Sequence, residues 1–289
     1  MHDGRAVPPC RSGRWSGFCE TAQLLSNSLS HAALSRRESL CHSGAMRIAI
    51  LSDIHGNIAA LDAVLADVEG RGVDAIVNLG DILSGPLFPC ETADRLMALD
   101  LPTIRGNHER QLLTQHPDRM GASDRYTDAV LQSRHRDWIA SLPDSLWLAD
   151  DVLMVHGAPG DDLCYWLETL DPTGLRPATA EEVEARAGGV AAPLVLCGHT
   201  HVPRIHYRPG GGLIVNPGSV GLPAYADDHP FPHKVETGSP HARYAIAERT
   251  AAGWTAESIA IRYDWDAAAR AAQAHGRADW AAALRTGRA

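Results

Sequence analysis

The sequence predicts an α/β domain in which two mixed β-sheets pack face to face between outer helices, a four-layer α/β/β/α sandwich. Three observations predict it. Apolar strand-like runs alternate with helical patterns from residue 46 onward, hairpin-like strand pairs follow in the second half, and most informative polar residues stand where an apolar run ends. With 289 residues, 45% of them hydrophobic, there is ample material for a core, and only 3 Phe among 16 aromatics makes that core aliphatic.

Arg47–Asp53 reads as a buried opening strand, and Ile58, Leu61, Val64, Leu65 and Val68 then share one helical face. A second strand is predicted over Ala75–Asp81, a short helix over Thr92–Asp100 and a third strand over Thr103–Asn107. Ser123–Leu142 reads as one helix with Ser123 as its N-cap and Tyr126, Val130, Trp138 and Ile139 turned inward. Strands at Leu146–Leu148 and Leu153–His156 precede a Pro/Gly/acid-rich connection, Gly160–Ala178, and a helix near Ala180–Ala187. Further strands are predicted at Leu194–Gly198, Arg204–Tyr207, Leu213–Asn216, Ala242–Glu248 and Ser258–Tyr263, before a closing helix near Asp266–Leu284. No fixed-period repeat occurs.

Residues 1–45 have a different texture, rich in Ser, Gly, Arg, Pro and Cys without a sustained period, and lack the ordered parts of a signal peptide. We expect a disordered or non-native leader there, with Met46 as the biological start and residues 46–289 forming one domain. No run approaches the ~18 consecutive apolar residues of a membrane helix. The net charge is −9, and beyond the leader 32 acids face 21 basic residues, which argues against a broad nucleic-acid footprint. The six cysteines form no CxxC, so reduced thiols and a cytoplasmic setting are expected.

Asp53-Ile-His55, Gly80-Asp81, Gly106-Asn107-His108-Glu109, His156-Gly157 and Gly198-His199-Thr200-His201 each close an apolar run. In an extended segment residues two apart point the same way, so Asp53 and His55 can address one point, and His199 and His201 another. Two Asp, one Asn and several His supply oxygen and nitrogen ligands without sulfur, a set suited to Mn, Fe, Zn, Ni or Co. Taken singly, Asp-x-His or Gly-Asp is an ordinary loop pair. The ordered set, with steps of 28, 26, 49 and 43 residues from Asp53 through Asp81, Asn107 and His156 to His199, is not. The other ten histidines are expected at the surface, with His206 and His233 as the two that can approach a substrate.

The signature DIH, GD, GNHE, VHG and GHTH resembles the calcineurin-like metallophosphoesterase superfamily over most of residues 47–219, and the phrases DIHGN, IRGNHE and VNPGSVGLP are similar to its compact YfcE-type phosphodiesterase branch. The resemblance implies two divalent metal ions, Mn foremost: one held by Asp53, His55 and His201, the other by Asn107, His156 and His199, with Asp81 bridging. It implies direct attack on phosphorus by a metal-bridging hydroxide, with His108 stabilising the transition state and protonating the leaving oxygen. Glu109 and Asn57 are expected to orient ligands or backbone. Arg105, Asn216 and Ser219 are expected to contact substrate, and Leu163, Tyr165 and Trp166 to wall the leaving group.

The implied substrate is a small phosphodiester or phosphomonoester, with nucleotides among the candidates. Serine/threonine protein phosphatases and symmetrical diadenosine-tetraphosphate hydrolases carry an arginine four residues after the bridging Asp. Here Gly85 stands at that position, and Ser84 replaces the acid that protein phosphatases have before the arginine, which weakens both readings. A binding module on the same fold is the non-enzymatic alternative, disfavoured because every ligand position is filled. The pattern selects no oligomeric state.

Overall fold

Alternate residues of the first strand serve two different cores. In β1 (Met46–Leu51) Ile48 and Ile50 face one way, Ala49 and Leu51 the other, and all four are fully buried. A computed structural model describes residues 45–289, so the expectations for the leader fall outside the described residues.

β1 pairs in parallel with β2 (Ala75–Asn78) through the crossover helix α1 (Ile58–Glu69), and antiparallel with β12 (Ala242–Thr250). With β13 (Gly253–Ile261) these form a four-stranded mixed sheet ordered β13-β12-β1-β2. The second sheet is five-stranded, ordered β3-β4-β7-β9-β8, from β3 (Ser145–Ala149), β4 (Val152–Val155), β7 (Leu194–Leu196), β8 (Arg204–Tyr207) and β9 (Leu213–Asn216). Its central strands β4, β7 and β9 run parallel, and its outer strands antiparallel.

Ile48, Ile50, Val77 and Ala245 meet Met154, Leu196 and Val215 between the sheets. The opposite residues face outward under helices. Ala49, Leu51 and Tyr244 pack under Leu61, Val64 and Val68 of α1 and Leu96 of α2 (Pro89–Leu99), while Leu153, Val195 and Ile214 pack under Trp166 and Val183 of α6 (Ala180–Arg186). Each fully buried Ile or Leu contributes roughly 1.5–3 kcal/mol. The expected four-layer sandwich is therefore the observed one.

Departures from the expected elements are local. Thr103–Asn107 is no strand: only Thr103 bridges to Asn78, and Asn107 opens helix α3 (Asn107–Thr114), because Glu109 draws the chain into a helical turn by accepting the Gly106 N–H at 3.0 Å. Ser123–Leu142 divides into α4 (Ala122–Val130) and α5 (Ser133–Ser141), with Gly121 rather than Ser123 at the first N-cap. The Gly160–Ala178 connection contains a hairpin of β5 (Glu168–Asp171) and β6 (Gly174–Pro177). A further hairpin, β10 (Ala224–Asp227) with β11 (His233–Glu236), was not anticipated.

The closing helix breaks at Gly276 (φ 77°) into α7 (Trp265–Ala274) and α8 (Ala278–Thr286). These two pack Ala268, Ala272, Trp280 and Leu284 against Leu87, Leu222 and Ala224. Cys164 and Cys197 are free thiols. Among the described residues no helix is long and apolar enough to cross a membrane.

Candidate metal centre

The C-terminal ends of the parallel strands meet at one edge of the sandwich. Past the strands, Asp53 N–H donates to Gly80 C=O (3.0 Å), His55 N–H to Asp81 C=O (3.0 Å) and Gly198 N–H to His156 C=O (2.7 Å). His199 N–H reaches Asp53 Oδ2 at 3.2 Å, tying the two sheets together.

Asp53, His55 and His201 bring ligand atoms within 4.8 Å of one another, and so do Asp81, His156 and His199, which makes them two candidate metal-binding groups. Strand alternation does not produce this convergence, contrary to the sequence expectation. β1 ends at Leu51 and β7 at Leu196. Asp53, His55, Asp81, His199 and His201 instead adopt left-handed backbone at φ 51–70°, costly for residues with a Cβ and held here by the loop-to-loop hydrogen bonds. The same two-residue device occurs twice, once per sheet.

Hydrogen bonds assign the imidazole tautomers. Nδ1–H donates to a backbone carbonyl in His55 (Ser84), His156 (Leu79) and His201 (Leu222), each at 2.7 Å. His199 uses Nε2–H on Leu163 C=O at 3.1 Å. Each ring is thereby turned so that its other nitrogen points inward, where a metal ligand would place it.

Those inward nitrogens then face one another and the carboxylates. His55 Nε2 lies 3.0 Å from His201 Nε2, and His201 Nε2 lies 3.4 Å from Asp53 Oδ1, an atom buried without a hydrogen bond. His156 Nε2 sits 3.1 Å from both Asp81 Oδ2 and Asn107 Oδ1. Turned over, the Asn107 amide would put its nitrogen 3.0 Å from His199 Nδ1 and 3.2 Å from Asp81 Oδ2, so its oxygen faces this group only when positive charge lies among them. Nitrogen and oxygen donor atoms converging in a buried pocket, with His55 Nε2 against His201 Nε2 and Asp53 Oδ1 unpartnered, suit a cation. The donor set, nitrogen and oxygen without sulfur, fits divalent transition metals.

The electrostatics follow. Burial lowers His55 to about 3 and His199 to about 4, and in each a neighbouring imidazole adds to the effect. Burial lowers His156 too, but the Asp81 carboxylate outweighs it and raises the ring to about 9. Burial raises Asp53 and Asp81, and the histidines beside them bring both below the ordinary carboxylate range.

Glu109 positions Asp81. Its fully buried carboxylate accepts N–H bonds from Asp81 (2.9 Å), Ile82 (2.8 Å), Leu83 (3.3 Å) and Gly106 (3.0 Å), which fixes the turn after β2. Asn57 caps α1 by accepting from Ala60 N–H and ties Gly221 C=O at 2.9 Å. Both act on backbone, as expected of them.

Three expected substrate contacts find other partners. Arg105 pairs with Asp144. Asn216 is buried, donating to Gly198 C=O at 2.7 Å, and Ser219 Oγ donates to Asp53 C=O at 2.7 Å. None of the three lines the cleft, so Asn216 and Ser219 hold the ligand loops and Arg105 makes a surface ion pair. Of the expected wall, Leu163 and Tyr165 line the cleft and Trp166 is in the core. His135, expected at the surface, is fully buried against Asp94, and His233 is buried against Tyr165.

His108 stands beside the centre at the start of α3. Its Nδ1 meets Asp124 Oδ1 at 2.8 Å, and Ser84 Oγ donates to the same oxygen at 2.5 Å. Burial lowers His108, while Asp81 and Asp124 raise it to about 10, which keeps a proton on the ring. Asp124 was missed at the sequence level: it is 16 residues away on another helix, and no local pattern marks it. Trp280 was missed as well. Its ring lies edge-on to His55 (5.9 Å between centroids) and occupies the space beside Gly85, where a Cβ would come within 2.6 Å of its ring. These residues open on a cleft of about 1090 Å³.

Fold and centre together define a metallophosphoesterase architecture, and sequence comparison agrees: the family model for the calcineurin-like phosphoesterase superfamily domain matches residues 46–235. The chain belongs to the calcineurin-like phosphoesterase superfamily, as its motifs imply. It is 28% identical to a metallophosphoesterase from Sphaerobacter thermophilus whose crystal structure covers 83% of this chain and 98% of its own, with a TM-score of 0.65. A hypothetical protein of Pyrococcus horikoshii OT3 shares the fold at TM-score 0.64 and 21% identity over 84% of this chain and 98% of its own. An uncharacterised protein of Methanocaldococcus jannaschii is 27% identical over 198 residues, 61% of this chain and 76% of that protein.

Proposed function

We propose that this protein is a phosphoesterase that uses two divalent transition-metal ions, manganese first among them, to hydrolyse a small phosphodiester or phosphomonoester in the cytoplasm. The observation that carries this reading is the convergence of inward-pointing donor atoms: the Nε2 atoms of His55, His156 and His201, His199 Nδ1 and the unpartnered Asp53 Oδ1, all oriented by the fold. In this reading Asp53, His55 and His201 hold one ion, Asn107, His156 and His199 the other, and Asp81 lies between them. When bound, such ions lower the pKa of water and neutralise charge on phosphoryl oxygens.

The chain's own residues do the rest. Glu109 fixes Asp81, the outer carbonyls fix the imidazoles, and Asp124 orients His108 toward the leaving oxygen. The oxygen of water bonds to phosphorus, the bond from phosphorus to the leaving oxygen breaks, and His108 gives that oxygen its proton; the proton lost by water passes to solvent. Gly85, with Trp280 packed against it, counts against a phosphate clamp from that loop and hence against the protein-phosphatase and diadenosine-tetraphosphatase alternatives. The filled ligand set counts against a binding module.

Bis(p-nitrophenyl) phosphate and p-nitrophenyl phosphate, each assayed with Mn, Fe, Ni, Co and Zn, test the proposal. Turnover with at least one ion is expected, and Asp81→Asn should abolish it. Absence of turnover with every ion overturns it.

A further inference from the structure

We propose that the hydroxyls of Tyr165 and Tyr225 form a positioning bridge that couples the two candidate metal groups, so that filling one readies the other; the proposal rests on the two-ion reading and concerns how that centre assembles. His199 and His201 stand two residues apart in one turn, yet His199 belongs with Asp81 and His156, and His201 with Asp53 and His55. Whatever fixes one of these rings relative to the other sets how the two groups stand to each other.

The two rings are held in the same way by different segments. His199 Nε2 bonds to Leu163 C=O at 3.1 Å, and two residues further on the Tyr165 ring packs edge-on against that imidazole, 5.0 Å between centroids at 68°. His201 Nδ1 bonds to Leu222 C=O at 2.7 Å, and three residues further on the Tyr225 ring packs edge-on against it, 4.8 Å at 69°. One segment lies in the connection after His156 and the other opens the β10–β11 hairpin. They meet at the phenols. The Tyr165 and Tyr225 hydroxyls share a hydrogen bond of 2.7 Å across 60 residues of sequence, and Tyr165 Oη lies 3.0 Å from His233 Nε2. His233 is buried on β11 with its Nδ1 tied to Phe231 C=O at 2.8 Å, so it anchors the pair to the hairpin.

Ring packing alone does not call for a hydroxyl, since phenylalanine would cover each imidazole as well. A half-buried phenol is costly unless its O–H is bonded, and these two satisfy each other. His199, Tyr165, Tyr225 and His201 thus close a ring of contacts whose last side is the turn itself. With one group filled, its imidazole is fixed, the tyrosine against that imidazole is fixed in turn, and the bridge carries the restraint to the second tyrosine and the second imidazole. The second group is then ordered before its own ion arrives, which is positive coupling between sites.

Manganese titrated into the chelator-treated full chain and followed by electron paramagnetic resonance reads this coupling without turnover, because a spin-coupled ion pair and a single bound ion give different spectra. At one ion per chain a coupled centre fills in pairs. Wild type should show chiefly the pair spectrum, with the second ion bound about tenfold more tightly than the first. Tyr165→Phe and Tyr225→Phe keep both rings and remove the bridge, and each should show chiefly the single-ion spectrum at that loading, the coupling reduced about tenfold as expected of one hydrogen bond. The double variant should lose no more than Tyr165→Phe alone, which separates a bridge from two independent hydroxyls. A merely structural role would weaken both ions alike and leave pairwise filling intact. Pairwise filling unchanged in either single variant, additive losses in the double, or single-ion filling by wild type that turns into a pair only at excess manganese overturns the proposal and keeps the two-ion reading. Absence of a pair spectrum at every loading overturns both.

Discussion

His108 and its partners separate two roles that a single substitution usually confounds. The ring lies beside the ligand residues without belonging to either candidate metal group, and its Nδ1 is committed to Asp124. His108→Ala should therefore lower kcat by ~10²–10⁴ and leave metal content intact. The loss should be steeper for alkyl esters than for p-nitrophenyl esters, because p-nitrophenolate departs without a proton. Equal losses across leaving groups would remove the proton-donor role. Asp124→Asn retains a hydrogen-bond partner for the ring but removes its charge, and roughly a 10–100-fold loss with the same dependence on leaving group is expected. The candidate ligands and His108 were legible because each abuts the end of an apolar run. Asp124 was not, since its link to His108 and Ser84 exists only after α4 packs beside α3.

The elements of the centre act as paired turns, and their glycines show how tightly they fit. Gly221 lies against the Ile54 carbonyl, its N–H donates to Asp53 C=O at 3.0 Å, and its own carbonyl accepts from Asn57. A Cβ there would collide with Ile54 backbone, so Gly221→Ala must push the Ser219–Leu222 turn away from Asp53. Overpacking of this kind costs typically 1–3 kcal/mol, and the variant should show both a lower melting temperature and reduced metal stoichiometry by elemental analysis. An unchanged melting temperature would contradict the packing described. The buried strands β1, β4, β7 and β9 could be read from the sequence within a residue or two, and β2 from its first residue though it stops at Asn78 rather than Asp81, because continuous apolar runs identify them. The hairpin β10–β11 could not, because Ala224–Asp227 and His233–Glu236 mix exposed and buried residues and become a strand pair only by facing each other. The breaks at Leu131 and Gly276 were hidden by helix-compatible residues on either side. The left-handed ligand turns were equally hidden: Asp and His tolerate φ near 50–70° better than most residues but seldom adopt it, and here neighbouring loops hold them there.

At the scale of the whole molecule the centre is a junction of both sheets, with Asp53, His55 and Asp81 following one and His156, His199 and His201 the other. That junction sets His55 Nε2 against His201 Nε2 at 3.0 Å and holds five residues in left-handed backbone. Asp53, His55 and His201 from the two sheets would share a cation there, and the unfolded chain cannot reproduce that arrangement of ligands. Metal binding must then appear as stability of the entire fold. At a free ion concentration 100 times Kd the gain is about 2.7 kcal/mol, which for a domain of this size raises the melting temperature by roughly 5–10 °C. Manganese added to chelator-treated protein should produce that rise in a thermal melt. Calcium should produce far less, because the site presents imidazole nitrogen rather than a cage of oxygens. His201→Ala removes a ligand from one group only and should retain part of the rise, whereas Asp81→Asn weakens the carboxylate proposed to lie between both ions and should lose most of it. A melt that does not respond to any transition metal, or responds equally in Asp81→Asn, would show that the two groups do not act as a joint centre.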